Sequence, residues 1–238
     1  MTPLKSMRLF HNSIKKLFLD KYIIKPKSSL LDLASGKGGD LQKWKQNKNI
    51  TKVIGYDFNE ESVKEAIRRK KEINIRKNIK FYVKNLAKEQ VKCEHPFDAI
   101  TIHFAFHYFF KNYNSLKNIL TTIDSCSNTG TILMITMLDG DKLKNIKTDN
   151  YYIKLNKIGS KIYGNEVEVY IKGSVLDKPE IEYLVKPDTL VSKLSKVSFE
   201  LIEILSFEEL YLQQDTYILT KEEQNYSFLN NIYIFVKK

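Results

Sequence analysis

The chain has 238 residues, 42% hydrophobic and 28% charged, enough for one α/β domain with a sizeable core and too apolar for a disordered chain. Its net charge of +11 suits a polyanionic partner, nucleic acid or an anionic membrane surface. A composition skewed toward Lys, Asn and Ile accounts for part of that lysine.

From the N-terminus, residues 4–24 have helical character, with Leu9, Ile14, Leu17, Phe18 and Tyr22 near one stripe. Lys5, Arg8, Lys15 and Lys16 leave no clean apolar core for a signal peptide. Pro26 and the Ser28-Ser29 pair break the pattern. The apolar run 30–34 then reads as a buried strand, followed by Gly36, Gly38 and Gly39 and by a short helix opening at Asp40. Glycines between a strand and a helix let the backbone approach a ligand closely, and N–H groups of the loop and helix start face it. A second strand, 52–57, ends in Asp57, where a carboxylate accepts from both ribose hydroxyls.

A nucleoside-bearing cofactor at the carboxyl ends of parallel strands follows. Lys37 precedes Gly38 rather than Ser or Thr, so no hydroxyl is placed for magnesium and a P-loop fails. Asp32 and Asp40 flank the glycines, a poor cradle for a pyrophosphate and a good one for a sulfonium ion carrying an α-amino group. That favours S-adenosylmethionine over NAD, with S-adenosylhomocysteine as product. The plainer alternative has Asp40 capping a helix and Asp57 ending a strand.

Asn59 is a helix cap for a segment that starts Glu60-Glu61 and ends Arg68 to Lys71, acid first and base last as the helix dipole prefers. Strands are expected at 79–84, 97–102 and 131–136, with a helix over 115–126. Regular alternation of strands and helices predicts a Rossmann-like, doubly wound α/β fold with a mostly parallel central sheet. Segments 150–156, 163–173 and 179–185 alternate polar and apolar and are expected as antiparallel additions. A helix at 189–195, a strand at 200–206, a loose region and a last strand at 232–236 complete the chain. The longest apolar stretch, 99–110, is interrupted by His103 and His107, so no transmembrane segment and no membrane partner are expected. Cys93 and Cys126 show no metal spacing; a reducing compartment without a structural disulfide is the simplest reading.

After the fourth strand comes IHFAFHYFF, beside the cofactor crevice of such a sheet. Flat side chains there suit a flat base, stacking being worth roughly 1–3 kcal/mol per base. Phe106 and Phe110 are assigned to the core, and Phe104, His107 and Tyr108 to the crevice. No third ligand lies at a spacing suited to a metal.

Together these residues resemble the messenger RNA cap guanine-N7 methyltransferases. The family's D-L-G-C-G-K-G-G-D-L loop matches residues 32–41, with Ala34 and Ser35 replacing Gly and Cys. Its F-x-F-H-Y segment matches 104–108, its R-x-F-N-N-x-x-K element resembles 8–15 with His11 for the first Asn, and I-E-Y matches 181–183. TMLDGDKL (136–143) and IEYLVKPDTL (181–190) look especially like the methyltransferase domain of the poxvirus capping enzyme. The resemblance implies one methyltransferase domain over 1–238, cut from a longer capping polypeptide. It further implies a large DNA virus or related element, with a cytoplasmic, viral-factory or virion setting.

By resemblance, Asn12, Lys15, Asp32, Gly36, Asp40, Asp57, Asn85 and His103 are cofactor contacts, Asn85 standing where the family has Asp and His103 where it has Gln. Phe104, His107, Tyr108, Glu182 and Tyr233 are expected at the cap guanine, with Glu182, His107 and Tyr108 as the catalytic set. Guanine N7 has an exposed lone pair, so catalysis is expected from positioning without a general base. The implied partners are GpppN-capped RNA, triphosphatase and guanylyltransferase domains of the same polypeptide, and a stimulatory subunit. The alternatives are methylation of a cap ribose 2′-hydroxyl and a non-catalytic capping subunit.

Overall fold

A computed structural model describes residues 4–173 and 178–238. Helix α1 (Lys5–Tyr22) precedes an alternation of β1 (Ser28–Leu33), α2 (Leu41–Gln46), β2 (Ile50–Asp57), α3 (Glu60–Glu72), β3 (Asn78–Val83) and β4 (Ala99–His103). A 3₁₀ helix (Phe106–Lys111), α4 (Tyr113–Ser125) and β5 (Ile132–Leu138) follow. The second half holds β6 (Ile146–Lys147), β7 (Tyr151–Lys157), β8 (Glu166–Ile171), β9 (Glu180–Tyr183), α5 (Pro187–Ser195), β10 (Phe199–Ser206), α6 (Phe207–Leu212), α7 (Lys221–Ser227) and β11 (Asn230–Lys237).

Seven strands form the main sheet in the order β10-β11-β5-β4-β1-β2-β3. The pairs β1/β2, β1/β4, β2/β3 and β4/β5 are parallel, while β11 runs antiparallel to both β5 and β10. The strand order reverses between β1 and β4, and ligands of such sheets sit at the carboxyl edge of that switch point. Strands β6 to β9 form a separate antiparallel sheet. The three segments expected as antiparallel additions are β7, β8 and β9 of this second sheet, while the strands expected at 200–206 and 232–236 are β10 and β11, the antiparallel members of the main one.

Period-2 alternation assigns the strand residues to two cores. Leu31, Leu33, Ile100, Ile102, Leu133, Ile135, Tyr233 and Phe235 share one apolar cluster with Leu116, Ile119 and Ile123 of α4 and Leu190 and Leu194 of α5. Leu30, Val53, Ala99, Met134, Ile232 and Ile234 share the opposite one with Phe10, Ile14 and Phe18 of α1 and Phe207 and Leu210 of α6. A third cluster joins Leu4 and Met7 to Tyr151, Ile153, Val167, Val169 and Tyr226, so α1 and α7 clasp the second sheet.

Helix ends follow local chemistry. The Asn59 and Asn112 side chains accept from Ser62 N and Ser115 N, capping α3 and α4. Capping boxes Ser206/Glu209 and Thr220/Glu223 start α6 and α7, the two helices in the stretch expected to be loose. The buried face of α1 carries Met7, Phe10, His11, Ile14, Phe18 and Leu19, whereas Leu9 and Leu17 of the expected stripe are 47% and 54% exposed. Among the described residues no helix is long and apolar enough to cross a membrane.

The cysteines correct an expectation. Cys93 and Cys126 form a disulfide, their Cα atoms 4.9 Å apart across 33 residues of sequence. The connection between β3 and β4 folds back along α4, where Val91 N donates to Thr122 Oγ1 and Ser125 Oγ donates to Val91 O. That tertiary return brings the two sulfurs together.

Candidate active site

The loop after β1 is held by its own backbone geometry. Ala34, Gly36 and Gly38 all have positive φ, at 66°, 52° and 70°. At Gly38 a Cβ would lie 2.8 Å from Leu41 Cδ1 of α2 and 3.1 Å from Ala66 Cβ of α3, so the loop packs closely on both helices, and its φ of 70° disfavours any side chain there. At Gly36 nothing lies within 4 Å of the place a Cβ would occupy, which leaves open space over the loop. Gly36 N donates to Asp57 Oδ2 at 2.8 Å and Asn59 N to Asp57 Oδ1 at 2.9 Å. An ionised carboxylate accepts about four bonds, so Asp57 keeps capacity for two hydroxyls.

The acids flanking the loop have separate fates. Asp40 Oδ1 lies 2.7 Å from both Lys15 Nζ and Lys43 Nζ. Burial works to raise its pKa, but the two ammonium groups outweigh burial and hold the carboxyl well below the ordinary range. Asp40 therefore makes no side-chain cap on α2. Asp32 is raised by burial and by the nearby Asp40 charge, against the Thr101 hydroxyl that donates to it at 2.6 Å. The two flanking acids thus differ: Asp40 is ion-paired with two lysines, and burial raises Asp32. Lys43, which also donates to Asn12 Oδ1 at 2.8 Å, was absent from the sequence expectation. Its signal was its place three residues after Asp40 on a helix.

His103 ends β4, paired in register with Thr136, and its Nδ1 lies 3.2 Å from Thr136 Oγ1. Its Nε2 is buried without a partner, and burial lowers its pKa to about 3, so the ring is neutral. Asn85 follows β3 and turns its Oδ1 onto Ala87 N at 3.1 Å, closing an Asx turn on its own loop. An open backbone cradle at Gly36, spare acceptors on Asp57 and an orphaned Nε2 on His103 fit S-adenosylmethionine.

The aromatic segment divides as expected at Phe106, Phe110 and Tyr108, whereas His107, expected in the crevice, is only 4% exposed and Phe104 packs against the α1-side core. Phe106 and Phe110 are fully buried, while Tyr108 is 36% exposed. Phe104 adopts φ 54°, a region that bulky residues avoid. It is pinned there by stacking on His11 (centroids 5.4 Å apart, planes at 19°) and by an edge contact with Phe207 at 6.2 Å. His11 Nε2 is in turn 2.6 Å from Ser227 Oγ of α7. A strained aromatic locked by packing at the end of a central strand is a common feature of functional sites.

Beyond Phe104, His107 Nε2 approaches Glu182 Oε2 of β9 at 3.4 Å, and the His107 and Tyr108 rings are 4.3 Å apart. Neither His107 nitrogen makes a hydrogen bond, and burial lowers its pKa to about 3. Burial, assisted by Glu180, pushes Glu182 up to about 8. Burial and the Glu182 charge both raise Tyr108. Tyr226 of α7 belongs to this group: burial first, then the Glu182 carboxylate and Tyr108, push its hydroxyl far above the ordinary range. Its ring meets Tyr151 edge-on at 5.1 Å. Tyr233, by contrast, has no exposed surface and lies in the core on the α4 side, its hydroxyl accepting from Asn231 Nδ2 at 3.2 Å. The structure thus gathers His107, Tyr108 and Glu182, leaves Tyr233 outside their group, and adds Tyr226, which sequence reasoning missed.

The fold has solved counterparts. A putative S-adenosylmethionine-dependent methyltransferase from Listeria monocytogenes has the same fold (TM-score 0.65 over 98% of this chain and 100% of that one, 15% identity). The family follows from sequence: residues 1–231 match the model of the mRNA (guanine-N(7))-methyltransferase domain, and the chain belongs to that family. An mRNA cap guanine-N(7) methyltransferase of Cryptococcus neoformans is 26% identical over 90% of this chain and 33% of its own length. The mRNA-capping enzyme catalytic subunit of fowlpox virus is 25% identical over 95% of this chain and 28% of its own. The chain thus spans about a third of the length of these relatives.

Proposed function

We propose that this chain transfers a methyl group from S-adenosylmethionine to guanine N7 of a GpppN RNA cap. The observation that carries the reading is the adjacency of the open glycine loop after β1 and the His107–Glu182 pair beyond β4, on neighbouring parallel strands. Bound S-adenosylmethionine supplies an electrophilic methyl group on a sulfonium. Asp57 accepts from the ribose hydroxyls, Gly36 gives the backbone its close approach, and Lys15, Asn12, Asp32 and Asp40 surround the amino-acid end. His103 offers Nε2 toward the same end, and Asn85 flanks the adenine.

On the guanine side, Glu182 accepts from the N1–H and the exocyclic amine. Those donors strengthen as the purine gains positive charge, so the carboxylate stabilises the transition state more than the bound substrate. Adenine lacks that donor pair and is rejected. Phe104 and Tyr108 hold the ring, and Tyr226 directs its hydroxyl to the same base. His107 is neutral, and N7 has no proton to remove, so rate comes from alignment. GpppN is the product of triphosphatase and guanylyltransferase steps, which we assign to partner domains of a capping enzyme, a stimulatory subunit being a further partner.

Incubating the chain with GpppA-capped RNA and methyl-labelled donor, then mapping the label, tests this reading. Label on guanine N7 is expected. Label on a ribose hydroxyl, or none with donor bound, overturns it.

A further inference from the structure

A cavity of about 620 Å³ opens between the segment after β3 and the junction of the 3₁₀ helix with α4. Volumes of this order hold small ligands or parts of larger ones. Its lining includes Lys88, Gln90, Lys111, Asn114, Lys117 and Asn118, and among the described residues no carboxylate lines it. Lys88, Lys111 and Lys117 are exposed, and none forms an ion pair with a described carboxylate. The neighbouring Glu89 is turned to Lys84 instead. Gln90 Nε2 donates to Asn118 Oδ1 at 3.1 Å and Asn118 Nδ2 to Ala87 O at 3.0 Å, which fixes both amides at the cavity.

The position matters as much as the composition. The 3₁₀ helix begins beside His107 and Tyr108 and ends at Lys111. At about 2 Å rise per residue, Lys111 lies about 8 Å along its axis from His107. A chain attached to a base at Glu182 therefore reaches the cavity within a few nucleotides.

We propose that this cavity holds the single-stranded RNA that follows the cap, its phosphates on Lys88, Lys111 and Lys117 and a base edge against Gln90 and Asn114. The inference rests on the cap reading above. The adenosine end of the cofactor is the other occupant in reach, since Asn85 also borders the cavity. S-adenosylmethionine has no phosphate and carries net positive charge, so three lysines oppose it and suit a polyanion. Amides match base edges, whose donors and acceptors they complement.

The test compares the native chain with a Lys88→Ala, Lys111→Ala, Lys117→Ala triple variant on the dinucleotide GpppA and on a capped ten-nucleotide RNA. The triple variant is expected to methylate GpppA normally and to raise KM for the longer RNA. The slope of log KM against log salt should fall by about 2, each lost phosphate contact on a single strand removing about 0.7. Between 50 and 200 mM salt that is about a 20-fold difference in salt sensitivity. Equal slopes overturn the proposal, as does a weakened S-adenosylmethionine Kd in the triple variant, which assigns the cavity to the cofactor. Anisotropy with an uncapped, labelled ten-nucleotide RNA reads the same slope without catalysis. It therefore decides the cavity's role even if GpppA is not a substrate and the cap reading fails.

Discussion

The proposed cofactor half and the proposed guanine half of the cleft are built on opposite electrostatic terms. Around the glycine loop, charges are matched in place: Asp40 sits between Lys15 and Lys43, and both Asp57 oxygens accept backbone N–H groups. Around Glu182 they are unmatched. Its nearest partner is a neutral histidine at 3.4 Å, and burial favours its protonated form. A preorganised site binds with little rearrangement, whereas a buried acceptor without donors gains most when a ligand supplies them. The glycine-loop charges are thus matched before anything binds, whereas Glu182 awaits donors from a ligand.

The largest effect that separates the halves is Asp57→Ala. Two charge-assisted bonds to the ribose, about 1.5–3 kcal/mol each, are lost, so Kd for S-adenosylmethionine should rise about 100-fold or more in calorimetry. Unchanged affinity removes Asp57 from the cofactor site. Glu182→Gln comes next: kcat/KM for GpppA should fall about 100-fold with donor affinity nearly intact. If the two constants fall together, the halves are not separable. Tyr226→Phe should cost less, about three- to tenfold in KM for GpppA.

Acidity sharpens the same contrast. Below about 8 the free enzyme holds a proton on Glu182, which must leave before the carboxylate accepts from guanine. KM for GpppA should therefore fall as pH rises from 6 to 8, by up to about tenfold per unit, and level off above. No limb is expected in kcat, because the bound complex already holds the carboxylate. In folding the sign is reversed. A raised carboxyl stabilises the native state through its bound proton, a contribution complete below the ordinary carboxylate range and lost as pH climbs through about 8. Glu182→Gln should flatten the KM profile; a profile that keeps its slope assigns the titration to another group.

The halves also differ in how far the sequence revealed them. The cofactor loop was legible because Asp32, Gly36, Asp40 and Asp57 lie within one β-α-β stretch, where spacing alone fixes geometry. Lys43 escaped because a lysine on a short helix usually faces water. The guanine half draws on the end of β4, on β9 and on α7, far apart in the chain, and family resemblance rather than spacing pointed to Glu182. Tyr226 was hidden because α7 has only seven residues, too short for a periodic signal, although Thr220 and Glu223 spell its capping box. The stripe on α1 was misplaced for a related reason. His11 and Met7 complete its buried face, and a histidine is not counted as apolar until its partner Ser227 is known.

The smallest effect tests whether the loop's completeness carries a cost. Ala34 stands at φ 66°, where an alanine is about 1–2 kcal/mol less stable than in the right-handed region. It cannot relax, because the next residue's N–H is bound to Tyr56 O at 2.9 Å. Ala34→Gly removes the strain but adds unfolded-state entropy worth about 0.4–1 kcal/mol. The balance should raise stability by about 0.5–1 kcal/mol, or Tm by about 1–4 °C at this chain length, in a thermal melt. Affinity for S-adenosylmethionine should hold, since the hydrogen bonds to Asp57 start two residues further on. A higher Tm with weaker cofactor binding instead shows that the strained alanine keeps the loop in its binding conformation, and that the cofactor half stores energy as the guanine half does.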